Sequence, residues 1–151
     1  MTVHPFDLKA VIFAKHAQHV VLIHFPIALF IAGVAFDFLA QWTKRSLLAA
    51  AAYYNFLVAA LTTIPVLITG FFAWQWQLEG QRLKGVLLLH VVLACVSSVL
   101  IWMVWFIHLR TQRKQGGILS RYRLPIEVVA VTLVTITGHL GGFLSGVNVT
   151  N

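Results

Sequence analysis

The strongest constraint on the fold is a set of four apolar runs, each long enough to cross a membrane. They cover about residues 20–42, 46–74, 85–109 and 125–147, and a transmembrane helix needs ~20 mostly apolar residues. The 151 residues are 60% hydrophobic and 10% charged, and a soluble domain of this size could not cover so much apolar surface. The sequence therefore predicts an all-α integral membrane four-helix bundle over residues 20–151, preceded by an interfacial amphipathic segment at 1–19.

The charges indicate how the chain crosses the membrane. A net charge of +7 would suggest nucleic acid in a soluble protein, but here the basic residues lie mainly in loops and flanks, where they contact lipid headgroups and set topology. Four crossings place both termini on one side. That side has four basic residues (Lys9, Lys15, Arg82, Lys84) and the other has seven (Lys44, Arg45, Arg110, Arg113, Lys114, Arg121, Arg123). The positive-inside rule then predicts that the seven-charge side is cytoplasmic and that both termini face outward. In a bacterial inner membrane, which is the expected location, the termini are then periplasmic.

Three histidines fall inside the runs at similar predicted depths. An ionisable ring in hydrocarbon is costly and is usually functional or paired. His24 and His90 each lie about one turn inside their runs, and His139 lies ~9 Å from the end of the last run at 1.5 Å per residue. All three are expected in the periplasmic half. His108 lies ~27 Å of helix rise from His90 and is expected alone in the other half.

Small residues lie near these histidines. Gly138 and Gly142 are four residues apart in the last run, which clears one stripe of that helix, and Thr69 and Gly70 lie near the end of the second run. Such a stripe admits a neighbouring helix or a flat ligand. We therefore predict an apolar slot at this level of the bundle.

Two imidazoles that face each other at one depth match the axial ligands of a b-type haem. We predict one haem b held by His90 and His139, with His24 as a propionate, quinone or hydrogen-bonding partner; axial pairs that include His24 remain open. Thr63, Thr69, Thr137 or a carbonyl oxygen could bond the second nitrogen of each ring. Three histidines could also hold zinc or copper.

Simpler interpretations apply to each feature. Membrane histidines often form hydrogen bonds between helices, and spaced glycines often serve helix packing. His4, His16 and His19 are predicted to be solvated residues of the interfacial segment. We expect no catalytic residues, and no acid pair for a proton relay, because only one acid is predicted to be immersed.

That acid, Asp37, is predicted at the interface facing Lys44 and Arg45. Glu127 is predicted in the first turn of a helix that starts at Pro125, where the helix dipole favours a carboxylate. Pro65 is expected to kink the second span, with nearby threonines bonding the freed carbonyls.

Several short motifs resemble one bacterial membrane family. They are the stretch His24-Phe25-Pro26-Ile27-Ala28-Leu29, an acid at Asp37, and then Gly70, His90 and the glycine-rich segment at 138–142. The chain resembles a family known mainly as a domain of unknown function, over about residues 20–147. That family is similar in layout to four-helix b-type cytochromes that anchor oxidoreductases, although this chain lacks a second histidine opposite His108 for a second haem.

The expected function is a cytochrome b-type electron-transfer subunit. It would relay electrons between a periplasmic cytochrome or dehydrogenase and quinone, or within a larger membrane redox complex with other subunits. A second hypothesis is a cofactor-free anchor or assembly subunit of a respiratory or photosynthetic complex. A third is a metal-handling transporter.

Overall fold

The computed structural model describes residues 17–113 and 119–145, and this part of the chain is almost entirely helical. The helices are α1 (Ala17–Leu22), α2 (His24–Thr43), α3 (Ser46–Gln77), α4 (Gly85–Arg113) and α5 (Leu119–Leu144). Helices α1 and α2 together form one candidate membrane span, so the described residues contain four spans by length and composition. The predicted all-α membrane bundle is confirmed. Most of the predicted interfacial segment, with His4 and His16, lies outside the described residues.

Prolines explain two features of the helices. Pro26 has no N–H to bond the carbonyl of Leu22, and the helix is interrupted close by, at Ile23. Pro125 lies inside α5, well after its start at Leu119, so the prediction that this helix starts at Pro125 is wrong. One internal proline removes a single hydrogen bond, which the helix tolerates here. Consequently Glu127 is not in the first turn.

The spans form a closed ring of neighbours. The most extensive packing joins α2 to α3 and α4 to α5, and smaller interfaces join α3 to α4 and α2 to α5. Helix α1 packs against α3 and α2. The bundle is therefore up-and-down, with each helix beside the next in sequence and the last beside the first.

Phe56 of α3 is at the centre of the bundle. It is fully buried, and it packs against Phe30 of α2 with ring centroids 5.5 Å apart. Gly33 makes room for it, because a Cβ there would lie 2.7 Å from Phe56 Cε1. Most other large apolar side chains point outward, as expected for a surface solvated by lipid.

The two ends of the bundle carry different polar groups. We call the end that contains the start of α4 and the end of α5 the His90 end, and the opposite end the His108 end. The two histidines are on the same helix, separated by ~27 Å of rise.

Candidate functional sites at the two ends of the bundle

A buried cluster of charged and polar side chains lies at the His108 end. Asp37 from α2, His108 from α4 and Glu127 from α5 are 1%, 5% and 0% exposed. The two carboxylates and the imidazole each have one oxygen or nitrogen within 4.8 Å of those of the other two. Arg123, one turn before Glu127, is 13% exposed and joins them. We call these four residues the inner cluster.

Short contacts connect the inner cluster across three helices. Arg123 donates from a terminal nitrogen to Asp37 Oδ1 at 2.8 Å, and its Nε lies 3.8 Å from Glu127 Oε1. His108 Nε2 is 2.8 Å from the same Glu127 oxygen. Gln41 donates to Asp37 Oδ2 at 2.7 Å. The cluster therefore joins α5 to α2 through Arg123 and Asp37, and α4 to α5 through His108 and Glu127.

Helical periodicity explains why these residues are buried. On α2, Asp37 follows the buried Phe30 and Gly33 at intervals of three and four residues. On α4, His108 continues the stripe of Val104 in the same way. Residues at i, i+3 and i+4 share one face of a helix. The cluster thus continues the core-facing stripes, and only its chemistry differs from that of the apolar core.

The inner cluster overturns two of the predictions made from sequence. Asp37 is buried against Arg123 and Gln41 and is not an interfacial acid facing Lys44 and Arg45. Asp37 with Glu127 forms the acid pair whose absence was expected, and His108, the one histidine predicted in this half, lies beside both acids. The physical reason is the position of Asp37 around α2: it lies on the same buried face of the helix as Phe30 and Gly33.

The inner cluster contains one more acid than permanent base. Asp37 and Glu127 face a single guanidinium, Arg123, and two carboxylates with oxygens within 4.8 Å of each other would repel by at least ~3 kcal/mol at an effective dielectric constant of 20. Glu127 Oε2 and Arg123 Nε are buried and have no hydrogen-bond partner among the described residues. The site therefore has unused bonding capacity together with an excess of one negative charge if both acids ionise.

Two imidazoles form the polar site at the His90 end. His19 of α1 places Nδ1 3.2 Å from Thr69 Oγ1, and His90 of α4 places Nδ1 3.1 Å from the Thr137 carbonyl oxygen. The two rings are near enough to interact electrostatically. We call them the outer histidine pair. The prediction that His19 is a solvated polar-face residue is therefore wrong, because it bonds to α3.

A glycine packs against each ring of this pair. A Cβ at Gly70 would lie 3.0 Å from His19 Cε1, and a Cβ at Gly141 would lie 3.1 Å from His90 Cε1. Each imidazole therefore points its Cε1 edge into a surface that a glycine leaves open. Thr69 and Gly70, which were predicted to lie near the slot, belong to this site. The glycine beside His90 is Gly141, whereas the sequence predicted Gly138 and Gly142.

The hydrogen-bond partners assign the same tautomer to both rings. The Thr137 carbonyl can only accept, so His90 Nδ1 carries the proton. Thr69 donates its hydroxyl proton to the Pro65 carbonyl at 2.8 Å, so its oxygen accepts from His19 Nδ1. In a neutral ring, Nε2 then carries the lone pair. A nitrogen of this kind, with the opposite N–H anchored, is the usual form of a metal-binding histidine.

The structure does not bring the predicted ligand His139 to His90. His139 is exposed and packs edge-on against Phe143, with ring centroids 5.4 Å apart. Thr137 and Gly141 face α4, and His139 lies about 200° around the helix from Thr137 at 100° per residue. The two imidazoles therefore leave α5 and α4 in different directions.

The remaining predicted site residues have local roles. His24 is exposed, and its Nδ1 lies 2.7 Å from the Val20 carbonyl one turn earlier in the chain. A Cβ at Gly138 would meet Ile27 Cδ1 of α2 at 3.3 Å, so this glycine serves a helix contact. Gly142 is half-buried, and its carbonyl accepts a hydrogen bond from Ser145.

Hydrogen bonds between helices also occur between the two ends. Ser97 of α4 lies 3.1 Å from Thr137 Oγ1 of α5, and Trp102 Nε1 donates to Thr63 Oγ1 of α3 at 3.1 Å. Such bonds tie membrane helices where apolar contacts alone give no preference over lipid. They fix the relative rotation of α3, α4 and α5, and with it the positions of both polar sites.

Comparison with known families gives one result that covers nearly the whole chain. The family described as "Predicted membrane protein (DUF2231)" matches residues 15–150. Comparison with curated proteins and with solved structures gives no match. The matched region contains every described helix and both polar sites. The chain therefore belongs to the DUF2231 family of predicted membrane proteins.

Proposed function

We propose that this protein is a membrane electron-transfer subunit that binds one haem b at the His90 end, with His19 and His90 as the axial ligands. One observation carries the proposal: both imidazoles are anchored through Nδ1, which leaves both Nε2 atoms as lone-pair donors. The sequence alone favoured His139 in place of His19, and the geometry supports His19.

The residues at this end suit the group. A bis-histidine haem needs two neutral imidazoles from separate helices, and α1 and α4 supply them. Thr69 and the Thr137 carbonyl hold the ring orientations and increase the basicity of the opposite nitrogens. When bound, haem b supplies a one-electron couple between ferric and ferrous iron. The chain itself would orient the two ligands through Thr69 and the Thr137 carbonyl.

The same proposal includes a location. Arg123 is held inside the inner cluster, so it no longer counts as a loop charge, and six basic residues remain at the His108 end against four at the other. The positive-inside rule then favours a cytoplasmic His108 end and a periplasmic His90 end in a bacterial inner membrane. The partners would be a periplasmic cytochrome or dehydrogenase, quinone, and other subunits of a redox complex.

A cofactor-free anchor is the second candidate, and a specific observation favours it. The bonds from His19 to Thr69 and from His90 to Thr137 each tie two helices, which is a sufficient structural role for a membrane histidine. On this alternative, glutamine at either position would preserve the tie. The two functions therefore differ in what a histidine-to-glutamine change removes.

The test is the absorption spectrum of protein expressed with ample haem and purified in mild detergent. We expect a b-type reduced-minus-oxidised difference spectrum that His90→Gln and His19→Gln abolish. His139→Gln is the matched control, because it changes a histidine on the same end that is exposed, and it should keep the spectrum. Circular dichroism checks that each variant folds.

Three outcomes would overturn the proposal. Folded wild-type protein without a haem spectrum would favour the anchor. Zinc or copper found by elemental analysis, without haem, would favour a metal handler. A spectrum lost in His139→Gln and kept in His19→Gln would restore the ligand pair predicted from sequence.

A further inference from the structure

We propose that the inner cluster is a proton-binding site, in which one exchangeable proton is shared between His108 Nε2 and Glu127 Oε1. These atoms lie 2.8 Å apart, both residues are at least nine-tenths buried, and Glu127 Oε2 has no partner among the described residues. The proposal concerns the opposite end of the bundle from the outer histidine pair and does not depend on haem.

The charges of the cluster call for one additional positive charge. Two carboxylates and one guanidinium leave a net charge of −1 when His108 is neutral and both acids are ionised. A buried unbalanced charge is costly in a low-dielectric interior. A proton on either His108 or Glu127 brings the cluster to neutrality without any movement of the helices.

A proton fits better than a metal ion. A divalent cation would leave the cluster with a net charge of +1, so it would only reverse the imbalance. Both oxygens of Asp37 are already engaged, Oδ1 by Arg123 at 2.8 Å and Oδ2 by Gln41 at 2.7 Å. A metal would have to displace these donors and lie beside a permanent guanidinium. A proton requires neither change.

The packed elements place three ionisable groups around Glu127. Glu127 faces Asp37 of α2, His108 of α4 and Arg123 of its own helix. From α3, the described neighbour is Phe56, whose ring centroid lies 4.6 Å from that of His108 and carries no charge. The proton moves between the imidazole nitrogen and the carboxylate oxygen along one hydrogen bond, and the pair of Arg123 and Asp37 remains in place.

A shallow, open cavity adjoins the cluster. Phe38, Gln41, Trp42 and Leu124 line it at the His108 end, and its volume is about 430 Å³. The amide of Gln41 connects this cavity to Asp37 through its 2.7 Å hydrogen bond. Trp42 is 75% exposed, so the cavity opens at the edge of the bundle. The proposed route for the proton is therefore from this end, past Gln41.

Infrared spectroscopy during a pH titration of the full-length protein in lipid nanodiscs tests the proposal. We expect a titrating signal, shifted in D₂O, that corresponds to one proton per chain and is lost in Glu127→Gln. Glu79→Gln is the matched control, because Glu79 is an exposed acid in the loop after α3, and it should leave the signal unchanged.

A second variant keeps the test valid if Glu127→Gln does not fold. In Asp37→Asn, Glu127 and Arg123 balance each other, so the shared proton should disappear although both of its binding atoms remain. A signal unchanged in Asp37→Asn would overturn the proposal, as would a wild-type signal identical to that of folded Glu127→Gln. Stoichiometric metal that is lost in either variant would also overturn it. His90→Gln should keep the signal, which separates this result from the fate of the haem proposal.

Discussion

Replacement of Arg123 by methionine should strongly destabilise the bundle. Methionine keeps much of the aliphatic volume of the arginine stem, so the change mainly removes the guanidinium. Asp37 and Glu127 would then face each other inside the bundle, and among the described residues in contact with them His108 is the possible counter-charge. The loss therefore measures how much the inner cluster depends on its one permanent cation.

The size of the effect follows from the geometry. Removal of the 2.8 Å charge-assisted bond to Asp37 costs ~1.5–3 kcal/mol, and the newly unscreened carboxylates, with oxygens within 4.8 Å of each other, repel by at least ~3 kcal/mol at an effective dielectric constant of 20. Protonation of one acid relieves part of this repulsion. We expect a net loss of ~3–5 kcal/mol in the free energy of unfolding, typical of a broken buried pair.

The double mutant supplies the internal control. Asp37→Asn alone should cost ~1 kcal/mol or less, because Glu127 remains to balance Arg123 at 3.8 Å and asparagine can still accept from Gln41. Asp37→Asn combined with Arg123→Met should be more stable than Arg123→Met alone by ~1–3 kcal/mol, since residues in one network couple by that amount.

Reversible unfolding in mixed micelles with increasing sodium dodecyl sulfate gives these free energies. Circular dichroism and the fluorescence of the five tryptophans report the transition. The reasoning fails if Arg123→Met unfolds within ~1 kcal/mol of wild type, or if the two substitutions are additive. Either result would mean that the carboxylates are already neutral, or that water reaches them freely.

Two further predictions concern glycines. Gly33→Ala should destabilise the bundle by ~1–3 kcal/mol, because its Cβ would lie 2.7 Å from the buried Phe56 ring. The control, Gly138→Ala, should be near neutral, because its Cβ meets only a flexible side-chain end at 3.3 Å and the gain in helix propensity offsets that contact. Equal losses of stability for the two variants in the same unfolding assay would contradict this prediction. Gly141→Ala should displace the His90 ring, because the new Cβ would lie 3.1 Å from His90 Cε1. The haem content, measured by absorbance, should then fall while the protein stays folded. An unchanged haem content would argue against His90 as a ligand.

The sequence was sufficient for the membrane fold because each span is a long apolar run. The starts of the second and third spans, α3 and α4, agree closely with the predictions at residues 46 and 85. The start of the fourth span differs from the prediction, because Pro125 suits a first helical position but lies inside α5. Hydropathy locates a span well, but it does not show where the helix extends past the membrane.

The polar sites were harder to predict because depth along a helix is readable from sequence and direction around it is not. His139 has a suitable depth and faces away from α4. Asp37 and His108 were assigned to the edge or left unpaired, although their spacing from Gly33 and Val104 places them on buried stripes. His19 was missed because the short α1 was treated as a surface segment, and only its packing on α3 shows otherwise.

The length of α3 has a consequence for the bilayer around it. Its 32 residues rise ~48 Å, against ~30 Å for a typical hydrocarbon layer. Even a steep tilt of ~40° leaves several ångströms of surplus. The surplus therefore extends past the hydrocarbon layer at one or both ends of α3; at the end that leads to α4, Trp74 Nε1 bonds the Gln81 carbonyl at 2.9 Å. Such spare length lets the protein reside in membranes of different thickness by changing its inclination.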